Sequence, residues 1–354
     1  MKYFCFLIIL YYSLPCAGKI FPPLLPQPQK IVYTHEKLIL DQIYLENTEN
    51  LQEWCAWLHE TNTTVTSIPA PKTIKINILP QLPEIPLNSQ EGYKIKITNN
   101  QIHISATSST GTYRALQTIR QLTCKDKDIY YLPTCEITDW PAFRIRGFMH
   151  DVGRTYISLK ELKKEIELLS RFKINVFHWH LTENQAWRLE SKLYPELNSP
   201  QNMTRMPGKY YTLQEAKELV KFCKEHHVML IPEIDMPGHS EAFNRAFHAD
   251  MQSQKGMEIL KKLMDEVCET FDVPYIHIGT DEVKFTNPEF VPEMVRYVRS
   301  KGKKVISWNP GWNYQPGEID MTQLWSYRGK AQPGIPAIDC RFHYLNHFDT
   351  YADL

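Results

Sequence analysis

The sequence has no surplus of charge of either sign: Lys plus Arg and Asp plus Glu number 40 each over 354 residues. With no basic excess to neutralise a phosphate backbone, nucleic acid is set aside as a partner. None of the eight cysteines forms a CxxC pair, so the usual zinc-ligand spacing is missing and no metal or other cofactor is expected. No glycine-rich phosphate loop follows a candidate strand, which argues against a nucleotide-binding α/β fold. Long apolar runs are also scarce. Tyr3–Tyr12 is too short to cross a bilayer comfortably as a helix, and nothing later is long enough to be a span.

What is present begins with that short run. Lys2 precedes it and the small residues Ala17-Gly18 follow, the pattern of a secretory signal over residues 1–18. A secreted or periplasmic protein is expected. Lipid anchoring at Cys16 is the rival, disfavoured by Pro15. Outside the cytosol disulfides are allowed: Cys124 with Cys135 is the most plausible local pair, and buried free thiols are the alternative. Asn62 and Asn202 head glycosylation sequons. Eight Trp and nineteen Tyr fit either a large core or a site where rings stack on sugars, and composition does not choose between them.

Two styles of patterning divide the chain near residue 140. Residues 19–140 alternate apolar and polar side chains in short runs, such as Thr73–Ile78, Tyr93–Ile97 and Gln101–Ser105, then carry Tyr113, Leu116, Ile119 and Leu122 at helical spacing. A small α+β domain is expected there. From residue 141 strands alternate with helices. The strands read as Arg144–Met149, Ile174–His180, Val228–Glu233, Tyr275–Gly279, Lys304–Trp308, Met321–Trp325 and Ala337–Tyr344. Ser158 with Glu161, and Thr212 with Glu215, form capping boxes at two helix starts. About seven such repeats predict an α/β fold of the (β/α)8 TIM-barrel type.

In such a barrel chemistry gathers at the C-terminal ends of the strands. Those ends carry His150-Asp151, His178-Trp179-His180 with Glu183, Glu233-Ile234-Asp235 with His239, Asp281-Glu282, Trp308, Trp325, and Tyr344 with Asn346. Any one of these could be a structural filler; loading of every end is harder to dismiss. On the fourth strand His277, Gly279 and Asp281 share one parity, so Asp281 and Glu282 point apart unless the chain bends after the strand. Gly279 leaves room for another backbone or a ligand. Two crowded carboxylates should raise one pKa and yield a proton donor beside an anion. The plain alternative is a helix start favouring two acids.

The string His277-Ile278-Gly279-Thr280-Asp281-Glu282 resembles the signature of glycoside hydrolase family 20, the β-N-acetylhexosaminidases. Three more stretches match in order: Arg146–Asp151 with Arg154, Asn175–Leu181, and Pro232–His239. The resemblance covers nearly the whole mature chain. It implies an exo-acting retaining enzyme in which the substrate's own 2-acetamido oxygen attacks the anomeric carbon, an exception to the two-carboxylate retaining scheme. It implies Glu282 as general acid and base, and Asp281 as the anion orienting the acetamido N–H. Arg146 would hold the C3 and C4 hydroxyls. His239 would bond Glu282 with Glu183 behind it. Trp308 and Trp325 would wall the acetamido pocket, Tyr344 would donate to the acetamido oxygen, and Asn346 would sit beside it. His180 and Asp235 would support. Partners would be glycans ending in β-linked GlcNAc or GalNAc.

Two departures stand out. Glu183-Asn184 replaces the family's paired aspartates, and no Trp-x-Glu segment follows Tyr344, so an incomplete barrel with an open seam is expected. An active enzyme, an inactive truncated fragment and a non-catalytic sugar binder are the three readings. Retention of both Asp281 and Glu282 disfavours the last.

Overall fold

The computed structural model describes residues 23–46 and 51–345. The signal-like segment, Cys5, Cys16 and Asn346 lie outside them. The chain divides into two compact units, Met1–Trp140 and Pro141–Leu354.

The first unit runs β1 (Lys30–Ile39), β2 (Gln42–Glu46), α1 (Leu51–Glu60), β3 (Thr64–Thr66), β4 (Thr73–Ile78), β5 (Tyr93–Ile97), β6 (Gln101–Ala106), α2 (Ser109–Leu122), β7 (Cys124–Asp126) and β8 (Ile129–Asp139). The sheet order is β1-β8-β5-β6-β4-β2-β3, with β7 paired to β8. Alternation puts Ile74, Ile76, Ile95, Ile102 and Ile104 on the buried face, where Leu116, Ile119 and Leu122 of α2 join the same core. Ser108 caps α2 through its hydroxyl. Helix α1 is an element outside the runs named above, although Trp54, Trp57 and Leu58 recur at i, i+3, i+4 and are all buried. The Cys124–Cys135 disulfide does not form, and both thiols are free. β7 and β8 pair antiparallel with Cys124 opposite Tyr131, which leaves Cys135 four residues further along β8, about 13 Å away at strand rise.

The second unit runs β9 (Gly147–Asp151), α3 (Leu159–Arg171), β10 (Val176–His180), α4 (Leu213–Glu225), β11 (Met229–Glu233), α5 (Glu241–Phe247), α6 (Gln254–Thr270), β12 (Tyr275–His277), α7 (Phe290–Ser300), β13 (Lys304–Asn309), β14 (Met321–Leu324) and β15 (Ala337–Asp339). The seven strands form one parallel sheet in chain order, the TIM-type arrangement, with β9 and β15 at its edges among the described residues. Both capping boxes are present, at Ser158 and Thr212. The apolar faces of α3, α4, α6 and α7 pack with Phe177, Trp179, Leu230, Ile276, Ile278 and Val305 in one core. Residues of the opposite strand parity build the other face. Val176, Ile231 and Ile306 make a small apolar cluster there; His178, Glu233 and Trp308 lie further along the same strands, and His277 ends β12 between them.

The last strand is shorter than Ala337–Tyr344. Asp339 Oδ1 accepts from the Arg341 backbone N–H at 3.1 Å and from Arg341 Nε at 2.9 Å. These bonds turn the chain at Cys340, and Phe342 takes a left-handed φ of 62°.

Candidate active site

Because the strands are parallel, their C-terminal ends collect on one side of the sheet. The bend expected after the fourth strand is present. β12 stops at His277, and Gly279, Thr280 and Glu282 then adopt φ of 68°, 87° and 48°. His239, in the loop after β11, is also left-handed at 48°. Non-glycine residues in this region store backbone strain, and here they cluster. The consequence is that Asp281 and Glu282 reach the same imidazole: His239 Nε2 is 3.6 Å from Asp281 Oδ2 and 3.3 Å from Glu282 Oε2. The Asp281 side chain is 13% exposed and that of Glu282 55%, so one acid is sheltered and the other open to solvent.

The other nitrogen of His239, Nδ1, rests 2.6 Å from Glu183 Oε1. The carboxylates of Asp281 and Glu183 beside the ring push the His239 pKa up to about 11 against the cost of burial, so the ring is an imidazolium at neutral pH. Glu183 is buried at 1% and also pairs with Arg154. Its extra methylene is accommodated by Gly153, where a Cβ would meet Glu183 Cβ at 2.7 Å. Asn184 takes a separate task, its Oδ1 accepting from the backbone N–H of Glu241 at the start of α5 (3.2 Å).

Beneath these groups lies a buried ionic cluster. His178 Nε2 and His180 Nδ1 are each 2.7 Å from Glu233 Oε2, and Trp308 Nε1 donates to Glu233 Oε1 at 2.7 Å. Burial alone would raise the Glu233 pKa; His180, His277 and His178 override it and hold the carboxyl well below its usual range. Burial alone would lower His180, but Glu233 carries it up to about 10. His178 is left mainly to burial and falls to about 4. Among the described residues His178, Glu233 and His277 come close enough to suggest a cation cage. A tetrahedral zinc ion needs ligand atoms about 3.3 Å apart, so the 2.7 Å contacts are those of a close-packed cluster of ion pairs.

The structure does not bring Arg146 to this group. Arg146 precedes the first residue of β9, at the N-terminal end. Its Nε donates to Lys173 O at 2.9 Å and its Nη1 to Phe143 O at 2.8 Å. The cation beside the carboxylates is Arg154, three residues past the other end of β9. It pairs with Asp151 and Glu183, and its charge acts on Asp281. The rule that places barrel chemistry at C-terminal strand ends selects Arg154 over Arg146. Trp308 is 4% exposed and packs its ring on His277 at 4.6 Å and His178 at 5.5 Å, so it lies in the buried layer. Trp325 is half-buried, its Nε1 donating to Pro310 O at 2.8 Å. Tyr344 stands close enough to feel Asp281 and Glu282; burial first, then Cys340 and these acids, push its hydroxyl up to about 12. Glu233, His178 and His277 belong to the site's support although only the strand-end pattern pointed to them.

The space left by Gly279 is filled by Asp235. A Cβ on Gly279 would fall 1.7 Å from Asp235 Oδ1. Burial first, then the neighbouring acids Asp281 and Glu233, raise one carboxyl pKa here, and the group raised is Asp235.

Residues 143–255 match the family model "Glycosyl hydrolase family 20, catalytic domain", and residues 22–140 match "Glycosyl hydrolase family 20, domain 2". A β-hexosaminidase of Vibrio furnissii is 32% identical over 334 residues, covering 75% of this chain and 54% of the relative. One from Porphyromonas gingivalis is 34% identical over 227 residues, covering 54% of this chain and 29% of the relative. The chain thus spans about half or less of these relatives' lengths. Among solved structures, the β-N-acetylhexosaminidase of Bacteroides fragilis aligns at TM-score 0.71 and 28% identity, over 85% of this chain and 69% of that one. The exo β-N-acetylglucosaminidase of Vibrio harveyi, solved with N-acetylglucosamine, aligns at 0.73 and 26%, over 86% and 57%. With two models of one family matched in order along both units, the chain belongs to glycosyl hydrolase family 20.

Proposed function

We propose that the chain is an exo-acting retaining glycosidase that removes terminal β-linked N-acetylhexosamine by substrate-assisted catalysis. The observation that carries this is the sheltered Asp281 beside the open Glu282, both facing one imidazolium. The acetamido oxygen of the substrate attacks C1 while the bond from C1 to the leaving oxygen breaks. Glu282 gives its proton to that oxygen. The oxazolinium ion so formed carries positive charge, and Asp281 accepts its N–H and holds it in line. Water then attacks C1 as the bond from C1 to the acetamido oxygen breaks, and yields a proton to Glu282; the acetamido group is restored and C1 keeps its starting configuration. His239, held by Glu183, keeps Glu282 in place. Arg154 is the cation available for the sugar hydroxyls. Trp325 and Tyr344 supply an aromatic wall and a hydroxyl donor. Export from the cytosol belongs to the same proposal and is supported by the Lys2–Gly18 pattern.

Release of the aryl group from aryl β-N-acetylglucosaminides and galactosaminides tests the reading. Glu282→Gln should remove most of that activity yet still bind a thiazoline analogue of the intermediate. A folded chain that cleaves neither substrate, or a Glu282→Gln protein with wild-type turnover, would overturn it.

A further inference from the structure

A general acid must hold its proton at one point in space, yet the Glu282 side chain is 55% exposed, so packing alone does not fix it. Its backbone is left-handed at φ 48°, and that of Thr280 at 87°. A non-glycine residue in that region costs about 1–3 kcal/mol and persists only where its surroundings leave the chain no easier path. The surroundings must therefore hold the backbone on both sides of Glu282. On the near side Thr280 is fully buried, its Oγ1 2.6 Å from Ser307 Oγ and its N–H donating to Asp235 Oδ1 at 3.3 Å. On the far side residues 283–289 belong to no helix or strand before α7 begins.

One side chain from another loop anchors that far side. Gln252, between α5 and α6, is buried. Its Oε1 accepts from the backbone N–H groups of Thr286 (2.8 Å) and Asn287 (3.3 Å), and its Nε2 donates to the carbonyl of Lys284 at 3.1 Å. Its own carbonyl accepts from Asn287 Nδ2 at 3.2 Å. A carboxylate could take the two N–H groups but has nothing to give the carbonyl, so an amide fits this trio. Gln252 is itself seated, its N–H donating to Asp250 Oδ1 at 2.6 Å. Gly256 lets α6 start against that turn, since a Cβ there would fall 2.0 Å from Asp250 O. Lys284 lies two residues past Glu282, at most about 7 Å of extended chain, so its carbonyl cannot move far without moving the acid.

We propose that Gln252 is a positioning residue for Glu282: its amide holds residues 284–287 and so keeps the strained backbone of the acid, and the proton the acid carries, aimed at the leaving oxygen. This role rests on the reading of Glu282 as the general acid.

Gln252→Met keeps the length of the side chain and loses its three hydrogen bonds. On N-acetylhexosaminides with alkyl leaving groups, whose oxygen needs a proton, kcat should fall roughly 10- to 100-fold with little change in KM, the scale of a misplaced reacting group. On a dinitrophenyl substrate, whose leaving oxygen departs without a proton, kcat should barely change. A merely structural role would lower both rates alike, so an equal fall on the two substrates overturns the proposal, as do wild-type rates on both. Hydrogen exchange needs neither turnover nor, in its first arm, a variant. The amides of Thr286 and Asn287 should be protected in the wild type and lose that protection in Gln252→Met; free exchange in the wild type overturns the anchor. A wild type that cleaves neither substrate refutes the function above, and the exchange result still decides whether Gln252 holds the segment.

Discussion

Replacing Glu233 by Gln removes the one anion in the buried cluster while leaving the volume nearly unchanged. In the native protein that carboxylate faces His178, His180 and His277 and accepts from Trp308. Breaking a buried pair by neutralising one partner costs about 3–5 kcal/mol, because the remaining charge loses its compensation. For a unit of roughly 200 residues, each kcal/mol lowers Tm by about 2–4 °C, so the melting temperature should fall by roughly 6–20 °C. The loss has a definite pH dependence. The His180 pKa is about 10 in the folded protein against an ordinary 6.5. Its stabilising contribution is therefore complete below about pH 6.5 and disappears as pH rises through about 10. Glu233, depressed, contributes above the ordinary carboxylate range and loses its effect in acid. Without Glu233 burial, the largest influence on His180, is opposed only by the more weakly acting Asp151 and Asp235, so its pKa falls and the variant weakens below pH 6.5, where the native protein is strongest. The gap between the two melting curves should be widest between about pH 4.5 and 6.5 and should narrow toward pH 10. Calorimetry or circular dichroism across that range measures it. A gap equal at pH 6 and pH 9.5, or a variant melting within about 1 °C of wild type, would refute the charge-pairing account.

Arg146→Ala and Arg154→Ala should separate the two arginines. The first loses bonds to Phe143 and Lys173 carbonyls, and should cost about 1–3 kcal/mol of stability with unchanged KM. The second loses a charged donor beside Glu183, and should lower kcat/KM roughly 10- to 150-fold. Gly279→Ala would drive a methyl into Asp235 at a left-handed φ; the strain alone should cost about 1–3 kcal/mol, and turnover should fall further than stability, read by melts and initial rates together. Trp308→Phe leaves Glu233 Oε1 without its indole donor and should cost about 1–3 kcal/mol in urea titrations. An unchanged midpoint would show that another donor takes its place.

Much of this protein is local and therefore legible in its sequence. Period-two runs mark β4, β5 and β6; Ser158 with Glu161 and Thr212 with Glu215 mark helix starts; four motifs mark four strand ends. Even the bend after His277 follows from strand alternation, since Asp281 and Glu282 cannot otherwise face one site. What stayed hidden depends on which atoms meet across strands. Arg146 and Arg154 sit in the same motif, yet β9 carries one to each end of the sheet. The room at Gly279 goes to Asp235 rather than to a ligand or backbone because the loops after β11 and β12 converge there. Which acid keeps its proton depends on burial and on neighbours far away in the chain, and neither can be read from the spacing of Asp281 and Glu282. The order of residues sets the strand faces and the helix starts; the register of the parallel sheet decides which charges share a neighbour, because electrostatic interactions act over a few ångströms of space.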